Sequence, residues 1–563
     1  MAQESLQNNK RVLLHIILIA IIGFVAYANS LNGKFIWDDY WYIKDNNYIK
    51  SWSYIGNMFT ENMGAGYADI AVPSYFFRPI QGLTYMIDYS LWGLNTFGYH
   101  LMNILLHILV VLLLYRLTIK IFESPPLALL AALLYIVHPA HVEAVASIAG
   151  RADSLYAAFI LTAFILYISL LDSFSRARYF FMLLCFALSL LSKEAAIVFP
   201  LILFSFHYAF KKKMNGVLLL SVFAVLILYL LARPAYLDKI TGDTLSPGMV
   251  FQRVPVFFAA LANYAKILFF PVGLRVHYGD SMFGFLDKQA LLGMLIFIFI
   301  IFFSFGRRRK DAMPLFCAAW FFCFLLPATN IIKINDSFLK EHWLYLSSFG
   351  FFLILARGLL ALKNKYRVFG SCLIAAVIAF YGFCTVKQNE YWKDPVIFLK
   401  RSLQYSPGYP VFYSELGREY ENMGKFREAI EYYKQAIAIN PELPGAYANL
   451  AIAFEKTGDQ ESAIKAYRHA QKVNIQLARR YNDFATLYIA RGKFKKAAEL
   501  LKKSLEIDPK SGVTHNDLAV AYYYMKKYDL AMKHCNAALE LGYKVSPELF
   551  QLLAPYGKVN MRK

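Results

Sequence analysis

The sequence predicts an all-α protein with a polytopic helical bundle in a membrane and a soluble α-solenoid behind it. Three observations lead to this fold class. Hydrophobic segments recur through the first two thirds of the 563 residues, and a 34-residue repeat fills most of the remainder. In addition, 58% of all residues are hydrophobic and only 17% are charged. That composition is too apolar for a soluble globular protein and is typical of a polytopic membrane protein.

Membrane topology accounts for the formal net charge of +21 better than nucleic-acid binding does. Lys and Arg fall in short clusters between the hydrophobic segments, as the positive-inside rule predicts for cytoplasmic connectors. Membrane lipids are therefore expected partners, and nucleic acid is not. The six cysteines have neither zinc-finger nor disulfide spacing, so the sequence indicates no metal or redox chemistry.

The first hydrophobic segment, residues 12–28, follows the basic pair Lys10-Arg11. Its A-x-A site at 26–28 would suit a cleaved signal peptide. A retained anchor is the preferred interpretation, because a bundle of further spans follows and could pack against it. The basic pair then places the N-terminus in the cytoplasm and the next loop outside.

Eleven more hydrophobic segments follow the first one. They occupy residues 97–121, 127–137, 152–171, 177–191, 195–210, 216–232, 254–270, 289–305, 312–327, 343–362 and 366–386. Between the basic connectors at 211–213 and 307–310 there are three segments, whereas a return to the same side needs an even number. The most polar of them, 254–270, is therefore predicted to be re-entrant or interfacial. About eleven spans and an external C-terminus remain.

The 34-residue repeat is the tetratricopeptide (TPR) period, which builds pairs of packed helices. Small and aromatic residues recur in register over four copies without an insertion. The first copy has Tyr413, Leu416, Gly417, Tyr420, Ala429 and Pro441 at the signature positions. The predicted domains are a membrane domain at 1–387, a linker at 388–409, four repeats at 410–545 and a C-terminal capping helix and tail at 546–563. The groove of such an array typically binds extended peptide.

Several charged loops fall on the predicted external side of the membrane domain. Their polar residues are His138, His141, Glu143, Arg151 and Asp153, then Lys193 and Glu194, then Arg275, His277 and Tyr278, and finally Glu341, His342 and Tyr345. Placing ionisable groups this close to the lipid hydrocarbon costs free energy, so such groups tend to mark function. Helix capping would also explain some of them. The first cluster lacks the i, i+4 histidine spacing of a metalloprotease site, so a metal is not favoured.

A pair of adjacent carboxylates, Asp38-Asp39, follows the first segment and is surrounded by aromatic residues. Each acid raises the pKa of the other unless a cation or a hydrogen-bond donor relieves the repulsion. In isolation the pair would be read as a helix cap or a hydrated loop. Placed at the external mouth of the spans, across from the charged loops, it is the best candidate for a catalytic base.

Together these motifs resemble the transmembrane and tetratricopeptide-repeat O-mannosyltransferases. The resemblance rests on Trp37-Asp38-Asp39, the block from His138 to Asp153, Ser192-Lys193-Glu194, the stretch from Glu341 to Tyr345 and the C-terminal repeats. It covers almost the whole chain, and the block from His138 to Asp153 is its most specific part. The sequence departs from the family at His342, where Arg is expected, and at His277, where Asp is frequent. It also has only four repeats.

The resemblance implies a glycosyltransferase of the GT-C superfamily with a lumenal or periplasmic active site. The donor would be a sugar, most readily mannose, on a polyprenyl phosphate, and the acceptor a hydroxyl on a protein held by the TPR groove. Transfer with inversion needs a carboxylate that takes the acceptor's proton opposite a departing phosphate. Phosphate is a good leaving group, so cations that hold its charge matter more than a general acid.

The resemblance also assigns roles to the candidate residues. Asp38 would be the base, with Asp39 as its orienter or as an alternate base. Arg151 and Lys193 would hold the phosphate, Arg through its bidentate fork and Lys as a point charge. A salt bridge to Asp153 or Glu143 is the structural alternative for Arg151. The residues expected to shape the sugar pocket or to orient the others are His138, His141, Glu143, Asp153, Glu194 and His342.

The sequence also leaves two functions open that are not those of a glycosyltransferase. The spans could be a non-catalytic anchor that displays the repeats as a scaffold for envelope assembly. A flippase for lipid-linked glycans would place charges in the middle of spans, but here they gather at the external ends. A divalent cation held by the Asp pair is possible but not favoured, and no other cofactor is expected. The absence of eukaryotic sorting signals favours a prokaryotic inner membrane, with the endoplasmic reticulum as the alternative.

Overall fold

The computed structural model describes residues 2–64, 66, 76–232, 247–329, 331, 337–443, 445–543 and 545–556. The chain forms two compact units, residues 1–406 and residues 407–563. Helices make up nearly all of the regular structure in both units, and the described ranges contain no β-strand. The all-α prediction is confirmed.

The first unit is built mainly from apolar helices, and the loops between them carry the charged motifs. Its helices are Ala2–Tyr27, Ile55–Thr60, Pro79–Trp92, Thr96–Phe122, Pro125–Ile136, Val142–Val145, Arg151–Asp172, Arg176–Ser192, Phe199–Phe210, Gly216–Ala232, Pro247–Phe269, Lys288–Arg307, Met313–Leu325, Leu344–Ser347, Phe349–Lys365, Arg367–Tyr391 and Pro395–Tyr405. Proline stands in the first turn of several of them, where its fixed φ suits the helix and no donor is lost.

Five of these helices are long and apolar enough to cross a membrane. They are Lys10–Ser30, Thr96–Phe122, Arg151–Asp172, Lys288–Arg307 and Arg367–Tyr391. Two bent pairs raise the number to seven if each pair is one span. The chain is therefore a membrane protein, but the predicted number of about eleven spans is not confirmed. Segments 195–210, 216–232 and 312–327 fall in apolar helices of 10–17 residues, which are too short to meet the same criterion.

The two bent pairs interrupt the membrane helices near the charged loops. Pro125–Ile136 and Pro139–Val145 meet at 58°, and Glu341–Ser347 and Phe349–Lys365 meet at 64°. Backbone groups freed at such breaks must find partners inside the protein. Thr385 donates to the carbonyl of Val137 at 2.7 Å, and the indole of Trp320 donates to the carbonyl of Leu346 at 2.8 Å. The breaks are thus satisfied by side chains from neighbouring helices.

Residues 388–406, within the predicted linker at 388–409, are mostly helical and belong to the first unit. Helix Pro395–Tyr405 is capped by the Asp394 carboxylate, which accepts from the N–H of Val396 at 2.9 Å. Phe398 of this helix contacts Trp392, with 4.8 Å between the ring centroids. The sequence predicted a linker because the apolar run ends there, but the amphipathic helix that follows buries one face.

The second unit is an array of antiparallel helices in the TPR register. Its helices are Pro410–Asn422, Phe426–Ile439, Ala446–Thr457, Gln460–Ala490, Phe494–Ile507, Gly512–Tyr524, Tyr528–Glu540 and Pro547–Leu553. Small residues let paired helices approach closely: a Cβ added to Gly417 would lie only 2.7 Å from the ring of Tyr433. The predicted repeat fold and the predicted C-terminal helix are both present.

Helix Gln460–Ala490 departs from a regular array, because it joins the second helix of repeat two to the first helix of repeat three. In repeats one and three the corresponding junction is followed by Pro441 and Pro509, whereas repeat two has Ile475 there. Without proline the helix continues. The buried apolar residues of this unit include one cluster at 429–466 and another at 485–553.

Candidate active site

The loop from Lys34 to Lys44 carries the carboxylate pair and is held at its start and in its middle. Lys34 forms a salt bridge of 2.8 Å with Asp394. Asp39 is buried, and its two carboxylate oxygens accept from the N–H of Ile36 at 2.9 Å and of Ala149 at 2.7 Å. Asp39 therefore ties this loop to the segment that precedes Arg151.

Trp37 adopts a left-handed backbone with φ of +54°, a conformation that costs a non-glycine residue about 1–2 kcal/mol. Its ring packs near Phe398, with 6.2 Å between centroids. Strain of this kind persists only where the surroundings hold it, and it is frequent at functional sites. Asp38 and Asp39, which follow Trp37, have different environments.

Asp38 has the opposite environment to Asp39. Its side chain is exposed, and it makes no hydrogen bond or ion pair with any residue in the described ranges. Protein nevertheless surrounds it on most sides, since the charges of Lys340, Glu143, His342 and Arg78 all act on its carboxylate. Asp38 is thus an exposed carboxylate near charged groups from three other segments, and we call this region the recess.

The pKa values of the two acids follow from these surroundings. Loss of water around Asp38 raises its pKa, and the positive charge of Lys340 opposes that shift. Burial raises the pKa of Asp39 to about 7, against the backbone donors that stabilise its charged form. Asp38 remains the better base, because its oxygens are accessible and free to receive a proton.

Two ion pairs form the first side of the recess. Lys193 Nζ lies 2.6 Å from Asp153 Oδ1, with 12% of the Lys193 side chain exposed. Arg78 Nε lies 3.3 Å from Glu194 Oε2, and the N–H of Phe77 donates to Glu194 Oε1 at 3.3 Å. The charges of Arg78 and Lys193 act on one another, and burial lowers the pKa of Lys193. Two cations are therefore held side by side, each by its own carboxylate.

The second side of the recess contains Glu143, His342 and Lys340. His342 Nδ1 lies 2.9 Å from Glu143 Oε1, and the N–H of His342 donates to Glu143 Oε2 at 3.1 Å. Lys340 donates to the carbonyl of Val276 at 2.9 Å and has no ion-pair partner in the described ranges. The neighbouring Glu341 is buried and accepts from the hydroxyl of Tyr278 at 2.7 Å.

Arg151 is not part of the recess lining. Its side chain is fully buried in a 2.5 Å salt bridge with Asp88, whose side chain is also fully buried. The remaining guanidinium donors reach Asn103 at 2.7 Å and Thr84 at 3.2 Å. The structure therefore supports a structural ion pair for Arg151, with Asp88 as its partner where the sequence suggested Asp153 or Glu143.

His138 and His141 are also fully buried. His141 Nδ1 lies 2.9 Å from the carbonyl oxygen of Tyr135 and Nε2 lies 3.1 Å from Ser348 Oγ. His138 Nε2 lies 3.3 Å from the carbonyl oxygen of Leu268. His141 joins the two helix breaks, and His138 joins the first break to helix Pro247–Phe269, so their contribution to the recess is through its shape.

The structure brings together seven of the ten predicted site residues around the recess or its support: Asp38, Asp39, Glu143, Asp153, Lys193, Glu194 and His342. Sequence reasoning missed Arg78 and Lys340. A lone Arg before Pro79 and a Lys directly before Glu341-His342 were the available signals. In the described part of the chain, no three His, Cys, Asp or Glu side chains are grouped as metal ligands.

Such an arrangement can take a proton from a hydroxyl and stabilise an anion beside it. Asp38 supplies an accessible carboxylate, and the two paired cations offer charge-assisted donors to a phosphate or a similar group. Because Glu194 and Asp153 neutralise these cations in the empty recess, they remain fixed without a ligand. The geometry suits transfer chemistry with an anionic leaving group.

Comparison with known sequences identifies the repeats and the relatives of the chain. Models of the TPR repeat match residues 417–458, 444–474 and 488–554. The chain is 26% identical over 432 residues to protein O-mannosyl-transferase F38B6.6 of Caenorhabditis elegans, covering 74% of this chain and 61% of that protein.

Two further relatives carry the same description. Protein O-mannosyl-transferase TMTC1 of Homo sapiens is 27% identical over 488 residues, covering 74% of this chain and 54% of that protein. Tmtc3 of Drosophila melanogaster is 24% identical over 518 residues, covering 76% and 56% respectively. The chain spans between about half and three fifths of the length of these relatives. Over about three quarters of its own length, the chain is therefore similar to the protein O-mannosyl-transferases that its motifs resemble.

Proposed function

We propose that this protein is a membrane glycosyltransferase that moves mannose from a polyprenyl phosphate to Ser or Thr hydroxyls of proteins. The observation that carries the proposal is Asp38, an exposed carboxylate without a hydrogen-bond partner in the described ranges, set among the charges of Arg78, Lys340, Glu143 and His342. The printed names of the relatives support mannose as the sugar and protein as the acceptor.

In the proposed step Asp38 accepts the proton of the acceptor hydroxyl while the hydroxyl oxygen attacks the anomeric carbon. The bond from that carbon to the phosphate oxygen breaks, and the electron pair leaves with the polyprenyl phosphate. Attack opposite the leaving group inverts the anomeric configuration. Asp39 positions Asp38 by anchoring the loop to the N–H groups of Ile36 and Ala149.

We assign the phosphate to Arg78 and Lys193. Both cations are partly buried beside carboxylates, and each has further N–H donors that can reach a bound phosphate while its own ion pair stays intact. Transition-state charge on the leaving phosphate is stabilised best by donors already in place. Arg151 has a different role in this proposal, since its ion pair with Asp88 supports the segment to which Asp39 is bonded.

The sugar would lie between Asp38 and the side chains of Glu143 and Asp153. Glu143 is held by His342 and Asp153 by Lys193, so both carboxylates have fixed positions from which to accept sugar hydroxyls. His138 and His141 would shape this pocket from behind through their contacts with the carbonyl of Leu268 and the hydroxyl of Ser348. No resident metal or cofactor enters the proposed step.

The topology and the acceptor site complete the proposal. Following the basic connectors, the recess would open on the side of the membrane away from the cytoplasm, which is the lumen of the endoplasmic reticulum or the outer side of a prokaryotic inner membrane. The TPR unit would hold the acceptor protein. Extended peptide in the groove of such an array is the usual mode.

The decisive experiment is mannose transfer by the purified full chain in liposomes, from polyprenyl-phosphate mannose to a Ser/Thr-rich peptide. Asp38→Asn is expected to lower kcat by at least 10³-fold, since removal of a general base typically costs 10²–10⁴. Asp172→Asn serves as the matched control. That carboxylate lies at the other end of helix Arg151–Asp172 and pairs with Lys120.

Full transfer by Asp38→Asn would remove Asp38 as the base. If the wild-type chain transfers no sugar from any polyprenyl-phosphate donor, a non-catalytic scaffold becomes the better interpretation. In that case substitutions of Asp38, Arg78 and Lys193 would leave complex assembly unchanged.

A further inference from the structure

The membrane unit has a second charged region, at the far end of helix Phe199–Phe210 from the recess. Two basic clusters meet there, Lys211–Lys213 after this helix and Arg307–Lys310 after helix Lys288–Arg307. We call them together the basic end. The second cluster contacts the helix that precedes the first, because the Arg308 guanidinium stacks over the ring of Tyr208 at 3.5 Å and donates to its hydroxyl at 2.6 Å.

The seven cations of the basic end are uncompensated. None of them forms an ion pair with a carboxylate in the described ranges. The one acid that follows in sequence, Asp311, is paired with Arg357. The positive-inside rule requires only positive charge at this end of the helices, and fully hydrated lysines would supply it. It does not explain why an arginine is half-buried here. Yet Arg308 is partly buried, and its Nε is buried with no hydrogen-bond partner.

Two cavities open beside the last turn of helix Phe199–Phe210. One has a volume of about 460 Å³ and is lined by Phe204, Ser205, His207, Tyr208, Lys212 and Met214. The other has about 450 Å³ and includes Phe210 and Met313 in its lining. The lining of the first cavity contains a cation, Lys212, and two exposed apolar side chains. Phe204 is 40% exposed and Met214 is 50% exposed. Its lining contains no carboxylate.

The turn that carries Lys212 is held in place. His207 Nε2 lies 2.7 Å from the hydroxyl oxygen of Tyr167, and His207 Nδ1 lies 3.0 Å from the carbonyl oxygen of Lys212. Lys211 adopts a left-handed backbone with φ of +52°, which ends the helix there. The backbone that carries Lys212 is thus fixed beside the cavity.

We propose that the first cavity, which Phe204, Lys212 and Met214 help to line, binds the head group of an anionic phospholipid. Its phosphate would meet Lys212 of the lining and Arg308, which lies outside the lining but contacts its residue Tyr208, and its acyl chains would follow the apolar wall along Phe204 and Met214. Basic pockets between membrane helices on the cytoplasmic side bind such head groups. A zwitterionic head group would gain less, because its choline or ethanolamine has no carboxylate partner in the lining. The site is independent of the recess and of the proposed transfer reaction.

The test is native mass spectrometry of the delipidated full chain with dioleoyl phosphatidylglycerol and, separately, dioleoyl phosphatidylcholine. We expect at least fivefold tighter binding of the phosphatidylglycerol. The double variant Lys212→Gln/Arg308→Gln should bind it about tenfold more weakly and leave phosphatidylcholine binding unchanged. A matched double variant, Lys365→Gln/Arg367→Gln, removes two exposed cations outside both cavity linings and should stay within twofold of wild type.

Three results would overturn the proposal. They are equal binding of the two lipids by the wild type, equal losses in the two double variants, or displacement of the lipid by 10 mM glycerol phosphate, which would indicate a site for a soluble phosphate. The variant Lys212→Arg/Arg308→Lys keeps both charges and should retain most of the affinity. If it bound as weakly as the Gln variant, charge would not be the basis of binding.

Discussion

Asp38 and Asp39 are adjacent in the chain, and each has an environment that suits a different task. Both carboxylate oxygens of Asp39 accept hydrogen bonds from backbone N–H groups inside the protein. Asp38 keeps both oxygens accessible in a recess whose charges act on it. The left-handed backbone at Trp37 lies directly before the pair.

The pH dependence of transfer should report the surroundings of Asp38. A base with a raised pKa is active above that pKa and loses activity as the pH falls through it. Lys340 lowers the pKa of Asp38, so Lys340→Gln should move the acid limb of the kcat/KM profile to higher pH. The measurement is the pH profile of wild type, Lys340→Gln and the control Lys365→Gln. An acid limb that moves to lower pH, or not at all, would contradict the placement of Lys340 beside the base.

Arg78 and Arg151 should respond differently to the same substitution. Arg78→Gln removes one phosphate donor from the recess surface and is expected to lower kcat/KM for the lipid-linked donor by about 10²-fold, with little loss of stability. Arg151→Gln leaves Asp88 charged, buried and unpaired, which costs about 3–5 kcal/mol of unfolding free energy. Transfer kinetics and thermal unfolding of both variants separate the roles. Equal destabilisation by the two substitutions would argue against this division.

At the scale of elements, the breaks in the membrane helices determine where the charged loops meet. The bends near His138 and Ser348 place Glu143 and His342 within hydrogen-bond distance although they are 199 residues apart in the chain. Side chains from other helices satisfy the backbone at these breaks. A straight helix at either position would separate the two residues and leave the recess without its second side.

The continuous helix Gln460–Ala490 gives a prediction for the repeats. Ile475→Pro restores the proline of repeats one and three, but here it falls in a helix interior, where it costs about 3 kcal/mol. We expect hydrogen exchange of the amides between 470 and 485 to increase at least tenfold, with Ile475→Ala as the control. Unchanged protection would mean that the array has a regular turn at this junction.

At the scale of the whole molecule, the two units have separate cores, each with its own buried residues. Leu501 is fully buried in the core of the repeats, and Leu134 is fully buried in the membrane unit. Replacement of either by Ala should cost about 2–5 kcal/mol. With urea unfolding followed by peptide-resolved hydrogen exchange, Leu501→Ala should shift only the transition of residues 407–563. Leu134→Ala should shift only that of residues 1–406, and a shared shift would indicate a single cooperative unit.

The sequence by itself determined the class of the molecule and the identity of most residues in the recess. Hydrophobic segments and a 34-residue period depend on local spacing, which a chain displays directly. The motifs from Asp38 to His342 contain most of the charged groups that the structure gathers, and they also led to the related family, which the comparisons confirm.

Only the tertiary structure decided which charges face one another. Arg151 was expected to hold phosphate, yet its partner Asp88 lies 63 residues away and on another helix, so local spacing could not reveal the pair. Arg78 and Lys340 were missed for the same reason, since each acts on Asp38 across a long stretch of chain. Helix lengths and breaks, and therefore the number of spans, likewise depend on packing partners that are remote in sequence. Pairing and burial are properties of the folded chain, because desolvation acts on a group only after distant segments have closed around it.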